Sequence, residues 1–177
     1  MSSCLAKLFF MVTVIVGIIQ AKRKYRCDTE VPNFLSESDT TQKIVGGQRV
    51  PSMIPWQVSL RFRTNVGEIH YCGGTILDEK TILTAAHCIP EIGEKVLAGH
   101  IGLKGESIFI EKVLKNPYKP YNEFTMNNDI IILKLSKALT MGDNVKPACL
   151  PSMTYEPPEG SICFTSGWGV RKFGKFG

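Results

Sequence analysis

From Ile44 onward the chain alternates short apolar or β-branched runs with turn signals, and it carries no convincing long amphipathic helix. That texture restricts the fold to a β-sandwich or β-barrel. Predicted strands are Gln57–Phe62, His70–Leu77, Thr81–Thr84, Lys95–Ala98, Ser107–Lys115, Ile130–Leu135 and Ile162–Thr165. Between them lie Gly46-Gly47, Gly73-Gly74, Gly102 with Gly105, Asn116-Pro117, Asn127-Asn128 and Pro157-Pro158. Ala85–Ile89 has room for one helical turn at most. A hydrophobic share of 44% against 21% charged residues supports a packed core and excludes wholesale disorder.

The first 43 residues have a different texture. Lys7 supplies a positive start, and Leu8 to Ile19 is an apolar run of 12 residues interrupted by Thr13 and Gly17. The run is short of the roughly 18 residues a membrane span needs. A cleaved signal peptide over residues 1–21 is predicted, with Ala21 at the cut; a buried helix or signal anchor is the competing reading. Residues 22–43 are polar and aperiodic, as in a pro-segment. Their cluster Lys22, Arg23, Lys24 and Arg26 reads as a solvated run beside a processing site. The net charge of +5 is too mild and too scattered to argue for nucleic acid.

Secretion licenses disulfides. Of the six cysteines, Cys4 lies in the signal segment, which leaves Cys27, Cys72, Cys88, Cys149 and Cys163. An odd count implies a free thiol, an intermolecular bridge or a missing partner.

Three local patterns carry chemistry. Leu83-Thr84-Ala85-Ala86-His87-Cys88 ends a strand in a tight turn of small residues that presents a histidine beside a cysteine. A bridge at Cys88 would fix that corner, and an imidazole with a near-neutral pKa suits general-base work. Asn127-Asn128-Asp129 leads into Ile130-Ile131-Ile132-Leu133, so an aspartate enters an apolar strand, where its charge needs a partner. It either caps the loop or accepts a hydrogen bond from His87. Lys43-Ile44-Val45-Gly46-Gly47 offers a basic cleavage point at the change of texture.

Together with Pro55-Trp56-Gln57-Val58-Ser59-Leu60, Cys72-Gly73-Gly74-Thr75-Ile76-Leu77, Pro147-Ala148-Cys149-Leu150-Pro151 and Ser166-Gly167-Trp168-Gly169, these patterns resemble the chymotrypsin/trypsin-like serine proteases, in the family's order from Ile44 to about Gly169. The resemblance implies an all-β fold, a double Greek-key β-barrel. The trypsin-like domain would occupy residues 44–177, with the first barrel over about 44–146 and the second only begun over 147–177. It makes His87 the general base, Asp129 its orienting partner and Lys43/Ile44 the activation cleavage. It pairs Cys72 with Cys88 and Cys27 with Cys149, and leaves Cys163 without its family partner.

The family's nucleophile segment, Gly-Asp-Ser-Gly-Gly-Pro, does not occur in the 177 residues. Ser107 lacks the flanking glycines and Ser166 stands in a structural motif, so neither is expected to attack. These residues are expected to hold a base without a nucleophile or an oxyanion hole, and to lack peptidase activity alone. The alternative is a non-catalytic short form that binds or regulates. Expected partners are protein or peptide substrates, protease inhibitors and an activating protease, with no nucleic acid and no membrane after signal removal. No cofactor or metal is expected: His70, His87 and His100 lack zinc-ligand spacing, and the segment between Gly99 and Glu111 lacks the convergent oxygens calcium needs.

Overall fold

The structure is a computed structural model that describes residues 53–99, 105–152, 154–161 and 165–168. The signal segment, the pro-segment, the Lys43/Ile44 junction, Cys27 and Cys163 lie outside the described residues. So does most of the expected strand Ile162–Thr165.

Six strands close into one antiparallel barrel: β1 (Gln57–Thr64), β2 (Gly67–Asp78), β3 (Thr81–Thr84), β4 (Lys95–Ala98), β5 (Glu106–Leu114) and β6 (Ile131–Leu135). Around the ring the order is β1-β2-β3-β6-β5-β4, and β4 pairs again with β1. The spatial order β4-β1-β2-β3 is a Greek key. Closure leaves no strand of the barrel with an unpaired edge.

Period-two alternation sends one set of side chains into the barrel. Val58 and Leu60 on β1, Ile76 on β2, Ile82 on β3, Val96 and Ala98 on β4, Ile108 and Ile110 on β5, and Ile131, Leu133 and Leu135 on β6 form the core. Each large aliphatic side chain buried this way contributes about 1.5–3 kcal/mol. Leu139 and Val145, beyond β6, close one end. Gly74 faces the same interior. A Cβ there would stand 2.9 Å from Ile82 Cγ2, 3.0 Å from Val58 Cγ2 and 3.1 Å from Leu60 Cδ1, so the core itself excludes a side chain.

After β6 the chain returns along the barrel, stitched by backbone bonds from Leu139 N to Glu79 O (2.7 Å), Lys146 N to Pro55 O (3.1 Å) and Ala148 N to Ile76 O (2.8 Å). Among the described residues beyond Lys146, no strand forms. Residues 165–168 rest on the outer face of β1 and β2: Gln57 Nε2 donates to the Ser166 carbonyl at 2.7 Å, and the Trp168 and His70 rings lie 5.2 Å apart.

Four strands depart from their expected bounds, β5 by one residue at each end and β1, β2 and β6 for local reasons. The β1–β2 hairpin runs on to Thr64 and Gly67, where Thr64 Oγ1 donates to the Gly67 carbonyl at 2.8 Å. Strand β6 begins at Ile131, because Ile130 N donates to the Asn128 carbonyl (2.8 Å) and closes a three-residue turn centred on Asp129.

Candidate active site

The β3–β6 seam positions the site. Thr84 pairs with Ile131 at its end, so the chain leaving β3 and the chain entering β6 meet at one corner of the barrel. Leaving β3, the backbone makes a single 3-10 turn over Ala86–Cys88 and ends in left-handed Ile89 (φ 47°). Cys88 Sγ is bonded to Cys72 Sγ on β2 (S–S 2.00 Å), which anchors the turn to the barrel wall. Entering β6, Asn128 adopts a positive φ of 59°, a conformation asparagine tolerates better than most residues, and it delivers Asp129 toward that turn.

Asp129 grips His87 twice. Its Oδ2 lies 2.6 Å from His87 Nδ1, and its Oδ1 accepts the backbone N–H of His87 at 2.7 Å. An ionised carboxylate can only accept, so Nδ1 carries a hydrogen, and Nε2 lies 3.8 Å from Cys88 Sγ. The ring bond, followed by the backbone bond, holds the Asp129 carboxyl below its ordinary pKa, with a smaller contribution from the Ala86 N–H. The His87 side chain is half exposed.

The wall beside the pair is built by asparagines. Asn116 Oδ1 accepts from the N–H groups of Tyr118 and Lys119, and Asn122 Oδ1 from those of Phe124 and Thr125. Asn128 Nδ2 donates to the Pro120 carbonyl at 3.2 Å. The Tyr121 phenol donates to Met126 Sδ at 3.1 Å; desolvation raises its pKa, and the charges of Asp129 and Glu123 add to that. On the other side of Asp129 opens a cleft of about 400 Å³, lined by Trp56, Gln57, Thr75, Leu83, Ile130 and Ser166 among others.

Of the expected site residues, His87 and Asp129 come together and Cys72 joins Cys88. Cys149 is disulfide-bonded. Ser107 lies on β5, away from the β3–β6 corner. Ser166 is held against Gln57 through its backbone carbonyl, at the cleft. Cys72, Cys88 and His87 bring ligand atoms within 4.8 Å of one another, but both sulfurs are consumed in the disulfide and offer no thiolate to a metal. Sequence reasoning passed over His70, which lies 2.7 Å from Ser59 Oγ through Nδ1. The signal was weak, because the contact depends on a bulge at Tyr71 that shifts the β1–β2 register.

A family model for trypsin matches residues 44–175. Among solved structures, one described as GrC is 30% identical, covers 70% of this chain and 56% of its own, and has a TM-score of 0.60. A scabies mite inactivated protease paralogue, S-D1, is 26% identical over 70% of this chain and 52% of its own, with a TM-score of 0.60. A second such paralogue, S-I1, is 33% identical over 60% of this chain and 49% of its own, with a TM-score of 0.51. The chain spans about half the length of these structures.

Proposed function

The chain belongs to the trypsin family, and from that premise we propose that it supplies the histidine–aspartate half of a secreted serine endopeptidase, made as a precursor and cleaved after Lys43. The observation that carries this reading is the double grip of Asp129 on His87.

The chemistry follows from the geometry. With Nδ1–H bound to Asp129, the lone pair of Nε2 is the one that takes a proton from an attacking hydroxyl. The imidazolium that forms is stabilised by a carboxylate already at hydrogen-bond distance, so nothing has to reorganise as charge develops. The carboxylate's second oxygen, on the backbone N–H of His87, fixes the rotation of the acid relative to the ring. A serine presented across the cleft beside Asp129 would complete the set, and the exposed faces of Trp56 and Leu83 would be covered by the barrel that carries it. Cys27 is the proposed partner of Cys149, so that the pro-segment stays attached after activation. Cys163 would pair with a cysteine near that serine.

These 177 residues contain no Gly-Asp-Ser-Gly-Gly-Pro segment. Taken alone they provide a base and no acyl acceptor, and they are proposed to bind without turning over. A second reading, a binding or regulatory protein without peptidase activity, draws support from the similarity to inactivated protease paralogues.

The deciding experiment sequences the native transcript past the codon for Gly177 and expresses what it encodes. A frame that continues through a Gly-Asp-Ser-Gly-Gly segment, and a product that hydrolyses peptide esters until His87→Ala abolishes turnover, supports the peptidase. A stop codon there, with substrate or inhibitor binding but no turnover, supports the second reading.

A further inference from the structure

The outer face of the barrel at the β1–β4 seam carries a row of side chains that the His87 chemistry does not use. Arg61 on β1 pairs across the sheet with His70 on β2 and with Lys95 on β4, and Lys95 pairs with Phe109 on β5. Arg63 follows two residues on, on the same face. In the ring of six strands this seam lies opposite the β3–β6 seam that holds His87 and Asp129.

Arg61 is unusual here. The residue is only 7% exposed, yet among the described residues its side chain's one hydrogen bond runs from Nε to Ser59 Oγ at 3.2 Å. The four Nη–H donors therefore have no protein acceptor among those residues. A guanidinium cannot shed its proton to escape burial, and unmade bonds to a buried charge are costly.

The nearby carboxylates are already engaged. Glu68 is paired with Lys95 Nζ (2.5 Å), and Glu94 Oε2 accepts from the Tyr71 hydroxyl (2.5 Å) and the Glu91 N–H (3.1 Å). Arg61 lines a notch of about 80 Å³ with Arg63, Lys95, Gly93, Phe109 and the two engaged glutamates, Glu68 and Glu94, so three cations and two carboxylates face it. That volume is about the room of two or three water molecules.

We propose that this notch is an oxyanion subsite that takes one carboxylate group, gripped by the Nη–H fork of Arg61 and drawn in by Arg63. A planar carboxylate matches the fork, which can donate two parallel bonds. The half-exposed Phe109 ring, with Lys95 Nζ 5.0 Å from its centroid, supplies an apolar edge for the carbon that bears the group. The carboxylate can belong to a small free acid or to an acidic side chain of a bound polypeptide. In the second case the subsite adds affinity remote from the cleft.

The test uses the full chain with its disulfides formed, labelled with ¹⁵N, at constant ionic strength. The backbone amide resonances of Lys95 and Phe109, present in wild type and variants alike, are followed together with the wild-type Arg61 Nε–H while sodium acetate, acetyl-Gly-Glu-Gly amide or acetyl-Gly-Gln-Gly amide is added. A saturable shift with acetate and the glutamate peptide, absent with the glutamine peptide, is expected. Arg61→Gln is expected to weaken binding about tenfold, the loss of a charge-assisted bond, and Arg63→Gln less. Tighter binding of the glutamate peptide than of acetate assigns the site to a polypeptide side chain, and equal binding assigns it to a free acid. No saturable shift with either probe, an equal response to the glutamine peptide, or unchanged binding in Arg61→Gln overturns the proposal. If Arg61→Gln fails to fold, the wild-type titration decides alone.

Discussion

Asp129 holds His87 by both its ring and its backbone, at 2.6 Å and 2.7 Å, although 42 residues separate them in the chain. One carboxylate therefore orients the imidazole and clamps the turn that carries it.

The first prediction concerns pH. The folded pKa of Asp129 lies below its ordinary value because of the His87 bonds, while the unfolded value is about 3.9. A depressed carboxylate pKa gives stability that is fully present above the unfolded value and is lost as pH falls through the folded one. The melting-temperature gap between wild type and Asp129→Asn is expected to be open at pH 6 and to close at lower pH, below the folded pKa. A gap independent of pH contradicts the assignment.

A second prediction concerns turnover. In the proposed serine-bearing peptidase, Asp129→Asn is expected to lower kcat about 10⁴-fold, because an amide can donate to Nδ1 and strand the proton on Nε2. Steady-state kinetics on a peptide ester, with the fold checked by circular dichroism, reads this directly. A loss of less than about tenfold argues that His87 does not depend on Asp129.

The Cys72–Cys88 bridge closes a loop of 16 residues that includes β3. Cys72→Ser with Cys88→Ser is expected to reduce stability by about 3 kcal/mol, from the lost restriction of the unfolded chain. Urea unfolding measures it. The same double variant should broaden the His87 ring resonances, since the turn loses its covalent anchor.

Gly74 offers a test of packing. A methyl group there meets Ile82, Val58 and Leu60 at 2.9–3.1 Å, and all three belong to the core cluster. Gly74→Ala is expected to destabilise by about 1–3 kcal/mol. A neutral result in chemical denaturation shows that the barrel relaxes at that point.

Much of the barrel was legible in the chain because burial has a period. Thr81–Thr84 and Lys95–Ala98 fall at their expected bounds, where short, largely buried runs are cut off by turns. The hairpin tip was less legible: Glu68 and Arg63 face each other with little buried apolar content, and cross-strand pairing alone extends the strands there. The last strand was expected from Ile130 and instead begins at Ile131, after a three-residue turn centred on Asp129, since a bond from Ile130 to Asn128 leaves no trace in composition. His87 and Asp129 were legible as a pair through the motifs around them. Arg61 was not, because its burial depends on which strands become neighbours when the ring closes.

The β3–β6 seam has a consequence for the order of folding. Thr81 to Thr84 must find Ile131 to Lys134 across about fifty intervening residues, and contacts of such long range form slowly. A chain whose hairpins have formed but whose ring is still open carries both His87 and Asp129 and yet has no acid–base pair. The pair is thus a built-in sensor of completion: its two halves meet only when the barrel has shut.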